Sequence, residues 1–400
     1  MSTSRPLVVT GQQIGAGWTP ALSVVKALAA KAEADRLGGE AVFWMADEDH
    51  DALEVAATVG FGAGGRLRPH RFRFAAPLGT ATGWLAWTAN HQAEAEALWG
   101  EVPGAPEPTL RGHFLACGAP LWRRGVRAFS PTEPGARAAI QDDLRRWRAL
   151  GLERDLVAQA ERLESARLAL PLDPRTQGAW FSLDPSTGAR ARLDPGEPCP
   201  PGHWLSPGAA LRPLMQQRLL PGTAAVVLGP AERAYWRLAE PLWERVGLEA
   251  PRIVARPSAA LVPRGAHLDA ADLDPLRTGD WAAFARADHL PSSALSLDPA
   301  GAAAWGPTLL KRVEDELQRT RARLARLDRR HRRDLAAARF GTDPEKLRQA
   351  LFPLGRPQER VLPGLSWLRD GALLDRLEAA LAARLATHPE GGGTLLVEAP

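Results

Sequence analysis

An α/β fold is what this sequence predicts: a parallel-sheet core interrupted by a long inserted domain, plus a short C-terminal coiled coil. Three observations predict it. Over residues 6–46 an apolar run, a glycine-spaced loop, a stretch of helix formers and a second apolar run follow in order. The same alternation resumes over residues 223–255, after a long Pro/Gly-rich interval that contains no copy of it. Near the end, apolar residues recur at spacings of three and four. The first two describe a Rossmann-like core split by an insertion, the third a heptad seam.

The first element is the strand Pro6–Thr10, and Gly11-Gln12-Gln13-Ile14-Gly15-Ala16-Gly17 forms the loop after it. Thr19 is placed to cap a helix and Pro20 to occupy its first position; helix formers then run to Arg36, where Gly38-Gly39 stop them. Ala41–Ala46 is continuously apolar, as expected of a strand covered on both faces. Strand, loop, helix and strand make one βαβ unit. Glycines in such a loop allow close approach to an anion, and the helix N-terminus offers free N–H groups. The spacing is neither GxGxxG nor a Walker loop, so the loop alone specifies no nucleotide.

Asp47-Glu48-Asp49-His50-Asp51 follow the second strand directly. Four carboxylates so close repel one another unless a cation, an ammonium group or a proton sits among them. The carboxyl end of a parallel strand is where ligands bind in open α/β sheets. The run is therefore expected to be a site. Its plainer reading is a cap, through Asp49 or Asp51, on the next helix. A divalent metal on Asp49, His50 and Asp51 is the lesser alternative, and no metal is expected.

Residues 61–205 carry scattered tryptophans and two helical stretches, Ala138–Leu150 and Arg154–Leu168. The core returns with the strand Thr223–Leu228, a helix over Ala231–Val246 and the strand Arg252–Ala255. Leu310, Val313, Leu317, Thr320, Leu324, Leu327 and His331 form the heptad seam. The expected organisation is a first core half (1–62), a connective insertion (63–205), a second core half (206–265), a linker (266–305), the coiled coil (306–342) and a segment returning to the core (343–400).

The chain of 400 residues, 45% hydrophobic and 24% charged, has the balance of an ordinary soluble protein. It has neither a basic-apolar leader nor an apolar run of membrane length, so a cytoplasmic location is expected. Cys117 and Cys199 are too few for a disulfide frame or a cysteine zinc site. Lysine is scarce, and Lys26 is the one on the first helix beside the glycine loop; a surface lysine is its plain alternative. Between Lys311 and Arg339 stand eleven basic residues against five acidic ones. A solvated face of the coiled coil explains that excess better than nucleic acid, since aromatics are not interleaved with the arginines. A short seam of this kind joins two copies of a chain, so a homodimer is expected.

Particular residues resemble a known family. Thr10-Gly11-Gln12-Gln13, Gly15, Pro20 and Lys26 resemble the first βα unit of the bacillithiol-biosynthesis cysteine-adding enzymes, the cysteine ligases BshC. Phe43-Trp44 and Glu48-Asp49-His50-Asp51 resemble their second strand and acidic motif. The resemblance continues through Ser206-Pro207, Arg212-Pro213, Leu220-Pro221, Gly229-Pro230, Glu232, Tyr235-Trp236 and Arg256-Pro257-Ser258 to Gly355 and Gln358-Glu359-Arg360. Departures are Leu228 and Ala231 where that family carries glycines, Asp47 where it carries a small residue, a shorter coiled-coil segment, and a first strand that begins close to Met1. They suggest a shortened or divergent member.

The resemblance implies a Rossmann-like core akin to class I aminoacyl-tRNA synthetases and an amide-forming ligase that adds L-cysteine to glucosaminyl-malate. Since a free carboxylate does not form an amide unaided, ATP or another nucleotide is the expected activator. On this reading Thr10, Gly11, Gln12, Gln13 and Gly15, with Gly229 and Glu232, hold a nucleotide or anion. Asp49 and Glu48 hold the cysteine ammonium, His50 is the general base, and Arg212 and Lys26 neutralise malyl carboxylates. Asp51, Tyr235 and Ser258 complete the substrate contacts. The alternatives are a non-catalytic or regulatory relative and a nucleic-acid-binding protein using the basic helix.

Overall fold

The computed structural model describes residues 5–62, 66–168, 170, 172–284, 296–298, 302 and 304–399. It divides into two compact units, residues 1–260 with 358–397, and residues 261–357 with 398–400.

In the first unit β1 (Leu7–Gln12), α1 (Leu22–Leu37) and β2 (Glu40–Met45) form the βαβ unit. Gly38 closes α1 in the left-handed conformation (φ 64°). The start of α1 departs from expectation. Thr19 is extended, its hydroxyl shares a 2.8 Å hydrogen bond with Thr58, and the helix begins two residues after Pro20 with no side-chain cap. A short α2 (Ala52–Ala56) leads to the hairpin β3 (Ala57–Phe61) and β4 (Leu67–Arg71). Then come α3 (Ala89–Trp99), α4 (Leu110–Cys117) and β5 (Val126–Phe129).

β5 is a strand that the sequence reading missed. It pairs in parallel with β2 (Val42 beside Arg127, Trp44 beside Phe129) and forms one edge of the main sheet. An edge strand of four residues that alternates with arginine has no continuous apolar run to announce it. The helices α5 (Pro134–Ala149) and α6 (Leu152–Ser165) follow, then a small antiparallel sheet of β6 (Trp180–Leu183), β7 (Arg190–Arg192) and β8 (Trp204–Pro207).

After α7 (Arg212–Leu219), the core resumes with β9 (Thr223–Leu228), α8 (Pro230–Trp236) and β10 (Arg252–Ala255). The helix expected over Ala231–Val246 is broken into three pieces. The last of them starts after Pro241, whose ring supplies no N–H to continue the ladder.

The sheet order is β10-β9-β1-β2-β5, with all neighbours parallel. Its carboxyl ends therefore share one edge, where Gln12 of β1 lies beside Met45 of β2. The strand order reverses at β1, the position at which α/β sheets open a crevice. One face is covered by α5 and α6 through Ile140, Leu144, Trp147, Leu152 and Leu156, packed on Val9, Val42 and Trp44. On α1, Val24, Val25, Ala27, Leu28 and Ala30 are all inaccessible to solvent, so a run of small and branched apolar residues suits it. Its main helical neighbour is the C-terminal helix Gly371–Thr387.

Among the described residues the second unit contains a single long helix, Pro307–Phe340. The seam residues Leu310, Val313, Leu317 and Leu324 are half-buried, whereas Thr320, Leu327 and His331 are exposed. Burial on this helix is concentrated at Ala336 and Phe340 near its end. The long helix is thus present, but no coiled-coil pairing is seen among the described residues. Part of the expected 266–305 linker lies outside the described residues. No described helix is long and apolar enough to cross a membrane.

Candidate active site

The acidic run leaves β2 and immediately enters an arginine-rich environment supplied by later parts of the chain. Glu48 is fully buried. Its Oε2 accepts hydrogen bonds from Arg137 on α5 and from Ser206 on β8 (3.0 Å), and its Oε1 lies 3.3 Å from Arg212 Nε. Burial raises a carboxylate pKa, but Arg137, Arg212 and Arg190 together hold Glu48 below the usual range. A carboxylate engaged by three residues does not meet the expectation of an oxygen offered to a substrate.

Asp49 accepts from Arg212 Nη2 at 3.4 Å and from the His50 N–H at 2.8 Å. Burial would raise its pKa; Arg212 and Arg190 outweigh that and hold it at about 2. Asp51 accepts from the Glu54 N–H at 2.9 Å and caps α2, so the plainer reading of that residue is realised. Asp47 turns away from its neighbours. Its Oδ2 accepts from Ser130 (2.5 Å) and Thr132 (2.9 Å), its carbonyl accepts from the Gly83 N–H, and burial pushes its carboxyl up to about 6. That residue fastens the insertion to the end of β2.

His50 is 39% exposed, and its Nδ1 accepts from Arg190 Nη1 at 2.9 Å. Arg190 is buried on β7, rests 3.9 Å over the Phe181 ring and donates to the Pro207 carbonyl. Burial lowers its pKa to about 10, which leaves it charged at neutral pH. Asp49, His50, Asp51, Arg190 and Arg212 line a cavity of ≈ 840 Å³, whose other wall includes Leu85, Leu172 and Phe181. The cavity lies at the carboxyl edge of the sheet, with a charged side and an apolar side.

The glycine loop is built differently from expectation. The Gly17 N–H donates to His113 Nε2 and the Ala21 N–H to the Leu362 carbonyl, so those two donors are already satisfied. Trp18 stacks on Phe114 at 4.2 Å, and a Cβ at Gly17 would lie 2.7 Å from the Trp99 ring. Thr10 donates to the Val227 carbonyl. A Cβ at Gly15 would meet the Thr19 carbonyl at 2.0 Å, so the position is reserved for glycine by the turn itself. Gln13 alone of the loop reaches the acidic cluster, standing close to Asp49 and Glu54, and its own Oε1 is buried without a partner.

Lys26 is also engaged. Its Nζ donates to the Gly11 carbonyl, to Gln12 Oε1 (3.1 Å) and to Glu232 Oε1 (2.6 Å). Glu232 in turn accepts from the Gly229 N–H at 2.7 Å, so the N3 carboxylate of α8 satisfies the backbone donor of its own N-cap. The expected anion site at Gly229 and Glu232 is therefore a closed ion-pair link across the β1–β9 crevice. Tyr235 is largely buried near Glu232, Arg212, Asp49 and Glu54, and burial raises its pKa. Ser258 bonds through its backbone to Gly393 and makes no bond to the acidic cluster among the described residues. Behind this wall Arg256 and Glu359 form a buried pair at 2.9 Å.

Sequence reasoning missed Arg137, Arg190 and Glu54. Arg137 shares a helical face with Ile140, Gln141 and Leu144, all buried, and a charge on an apolar stripe was its signal. Glu54, pushed up by burial and by Asp51 and Asp49, stands one turn beyond the motif. Arg190 had no such signal. Cys117 is buried with its thiol pushed up to about 12, so it offers no thiolate for chemistry. Among the described residues no group of three or more His, Cys, Asp or Glu side chains is arranged to hold a metal ion.

Fold and cavity define a Rossmann-like α/β protein with a cavity, charged on one side, at the carboxyl edge of its sheet. Residues 201–257 match the family described as "Bacillithiol biosynthesis BshC, N-terminal Rossmann-like domain". Across 95% of its length the chain is 31% identical to a "Putative cysteine ligase BshC" of Thermus thermophilus, covering 87% of that relative. The protein of the same name from Solibacter usitatus is 28% identical over 90% of this chain and 79% of its own length. The chain belongs to the BshC family.

Proposed function

We propose that this chain is a cysteine ligase that joins L-cysteine to the glucosamine amine of glucosaminyl-malate, the last step of bacillithiol biosynthesis. One observation carries the reading: a single cavity sets Arg190 and Arg212 beside Asp49 and Asp51, with Glu54 close to both carboxylates. Such a site complements a zwitterion. The carboxylates Asp49 and Asp51 on the cavity wall, with Glu54 beside them, are acceptors suited to an ammonium group. Arg212, held at Glu48 and Asp49, keeps guanidinium N–H groups for a carboxylate.

In this reading the cysteine carboxyl is activated with ATP or another nucleotide. The glucosamine nitrogen attacks the acyl carbon, the C–N bond forms, the activating group departs with the carbon–oxygen bonding pair, and the proton lost by the nitrogen passes to solvent. Glu48 acts as a positioning residue that sets Arg212. Lys26 and Glu232 hold the β1–β9 crevice shut beside the site instead of contacting malate. Tyr235 stands behind the ammonium side, near Asp49 and Glu54.

The test is incubation of the purified protein with L-cysteine, glucosaminyl-malate and ATP, with mass-spectrometric detection of the amide. Glu54→Gln is expected to raise KM for cysteine about tenfold or more with a smaller change for glucosaminyl-malate, as loss of one charge-assisted contact implies. Product formation with unchanged cysteine KM would remove Glu54 from the site; no product with any nucleotide would overturn the ligase reading.

A further inference from the structure

The bond between Arg190 and His50 bears on what the histidine can do. A guanidinium only donates hydrogen bonds. Arg190 Nη1 lies 2.9 Å from His50 Nδ1, so Nδ1 must present its lone pair. A neutral imidazole carries one proton, and with Nδ1 accepting, that proton is on Nε2. Nε2 has no partner among the described residues, and His50 lines the cavity.

We propose that Arg190 locks His50 as the neutral Nε2–H tautomer, so that His50 donates a hydrogen bond to the ligand instead of acting as a general base. This rests on the ligase reading for the identity of the ligand, a carbonyl oxygen of the activated cysteine. The lock itself is a property of the unliganded protein.

Arg190 is well placed for the task because it has little freedom. Its guanidinium is buried against the Phe181 ring at 3.9 Å and donates to the Pro207 carbonyl at 2.9 Å, while Phe181 also contacts the His50 ring at 5.7 Å. Protonating His50 would place an N–H against an N–H and exchange a hydrogen bond for a repulsion. The charged groups facing His50 are Asp49, Asp51, Arg190 and Arg212. The two carboxylates favour the imidazolium; burial and the two arginines prevail and lower its pKa.

The chemistry then divides differently from the expectation drawn from sequence. An amine of near-neutral pKa is already about half unprotonated at neutral pH, attacks in that form without a strong base, and passes the proton it loses to solvent as the C–N bond forms. As it attacks, charge builds on the acyl oxygen, and a preorganised neutral N–H donor stabilises that oxygen as it develops. Arg190 acts through His50, so it is a positioning residue.

The experiment is long-range ¹H–¹⁵N correlation of the histidine rings in the substrate-free protein, with His50 assigned by His50→Gln. The expected result is a protonated Nε2 and an unprotonated Nδ1 that persist from about pH 6 to about pH 8. In Arg190→Met the ring should titrate with a midpoint about one pH unit or more higher, and Arg190→Lys should restore part of the difference. A wild-type His50 protonated on Nδ1, or a midpoint unmoved in both variants, would overturn the lock. The wild-type spectrum decides the tautomer even if Arg190→Met fails to fold. With an active ligase, His50→Gln, whose amide donates but accepts no proton at neutral pH, should retain at least about tenfold more kcat than His50→Ala. Equal losses would restore the base role. The ring spectra are read without substrate, so an inactive protein with the expected spectrum would retire the ligase reading and uphold the lock.

Discussion

Removing Arg137 tests whether the acidic run is held by the insertion or merely lies beside it. Arg137 and Glu48 are both inaccessible to solvent, stand 89 positions apart in the chain, and meet in a direct ion pair. In Arg137→Met the apolar stem is kept and the guanidinium is lost. Glu48 then retains Ser206 and the Arg212 Nε contact at 3.3 Å, but its closest cation is gone. Two unit charges about 4 Å apart attract by about 4 kcal/mol at an effective dielectric constant of about 20. Breaking one side of a buried pair costs about 3–5 kcal/mol by mutagenesis. The two routes agree, so the expected loss is about 4 kcal/mol. Urea unfolding followed by tryptophan fluorescence suits the measurement, since the Trp204 ring lies 5.9 Å from the Arg137 guanidinium. The double variant Arg137→Met/Glu48→Met should lose less than the two single changes added together, because it leaves neither charge stranded. A single variant within about 1 kcal/mol of wild type would show that Glu48 is satisfied by Arg212 alone and refute the assignment of Arg137.

Two further outcomes follow from the same geometry. The Asp47 carboxyl has a folded-state value of about 6 against an ordinary 3.8, chiefly through burial, so folding favours its protonated form. The stability this contributes is whole below about pH 4 and is lost as pH rises through about 6; a shift of about 2 units corresponds to about 3 kcal/mol. Asp47→Asn, which mimics the protonated form, should therefore gain on wild type as the pH is raised from about 4 to about 6.5, measured by urea midpoints; a difference constant with pH would contradict the burial account. Gly17→Ala places a side chain at φ 60° and 2.7 Å from the Trp99 ring, whose Nε1 donates to the Val59 carbonyl. It should cost about 1–3 kcal/mol and alter the tryptophan emission, and an unchanged thermal midpoint would argue that the loop is loose.

How much of this was legible depended on whether a feature was local. The βαβ unit could be read because its signals lie within one stretch: apolar runs, helix formers, and Gly38 as a left-handed stop. β9 and β10 were readable for the same reason. β5 was not, since its place at the sheet edge depends on pairing with a strand far back in the chain, Phe129 beside Trp44, and its own four residues carry an arginine. The heptad predicted a long helix correctly because helix formation is local; whether its seam meets another helix is not. In the site, the run Asp47–Asp51 was visible as an electrostatic conflict, but its resolution was hidden. Arg137, Arg190 and Arg212 come from three separated elements; Arg212 is marked only by the family resemblance, Arg137 leaves a trace as a charge on an apolar helical stripe, and Arg190 leaves none. Glycine loops mislead for the converse reason. Gly11–Gly17 has the composition of an anion cradle, yet His113 and Leu362, far away in sequence, take the Gly17 and Ala21 N–H groups.

The charge balance of the finished site gives the acidic run a sharper meaning than its composition did. Asp47, Glu48, Asp49, Asp51 and Glu54 are set against four guanidiniums, those of Arg111, Arg137, Arg190 and Arg212. Arg137 is committed to Glu48, Arg212 is divided between Glu48 and Asp49, and Arg111 stands 3.9 Å from Asp47. The shortfall of one cation therefore falls on the Asp51–Glu54 side, where Glu54 is pushed up and Gln13 Oε1 is left without a donor. A metal dication would overfill that deficit and find few free oxygens. A monocation carrying several N–H donors matches that charge, and an amino-acid ammonium group is such a cation. The same bookkeeping explains why His50 stays neutral: a second positive charge beside Arg190 would enter the part of the cluster where cations are already sufficient.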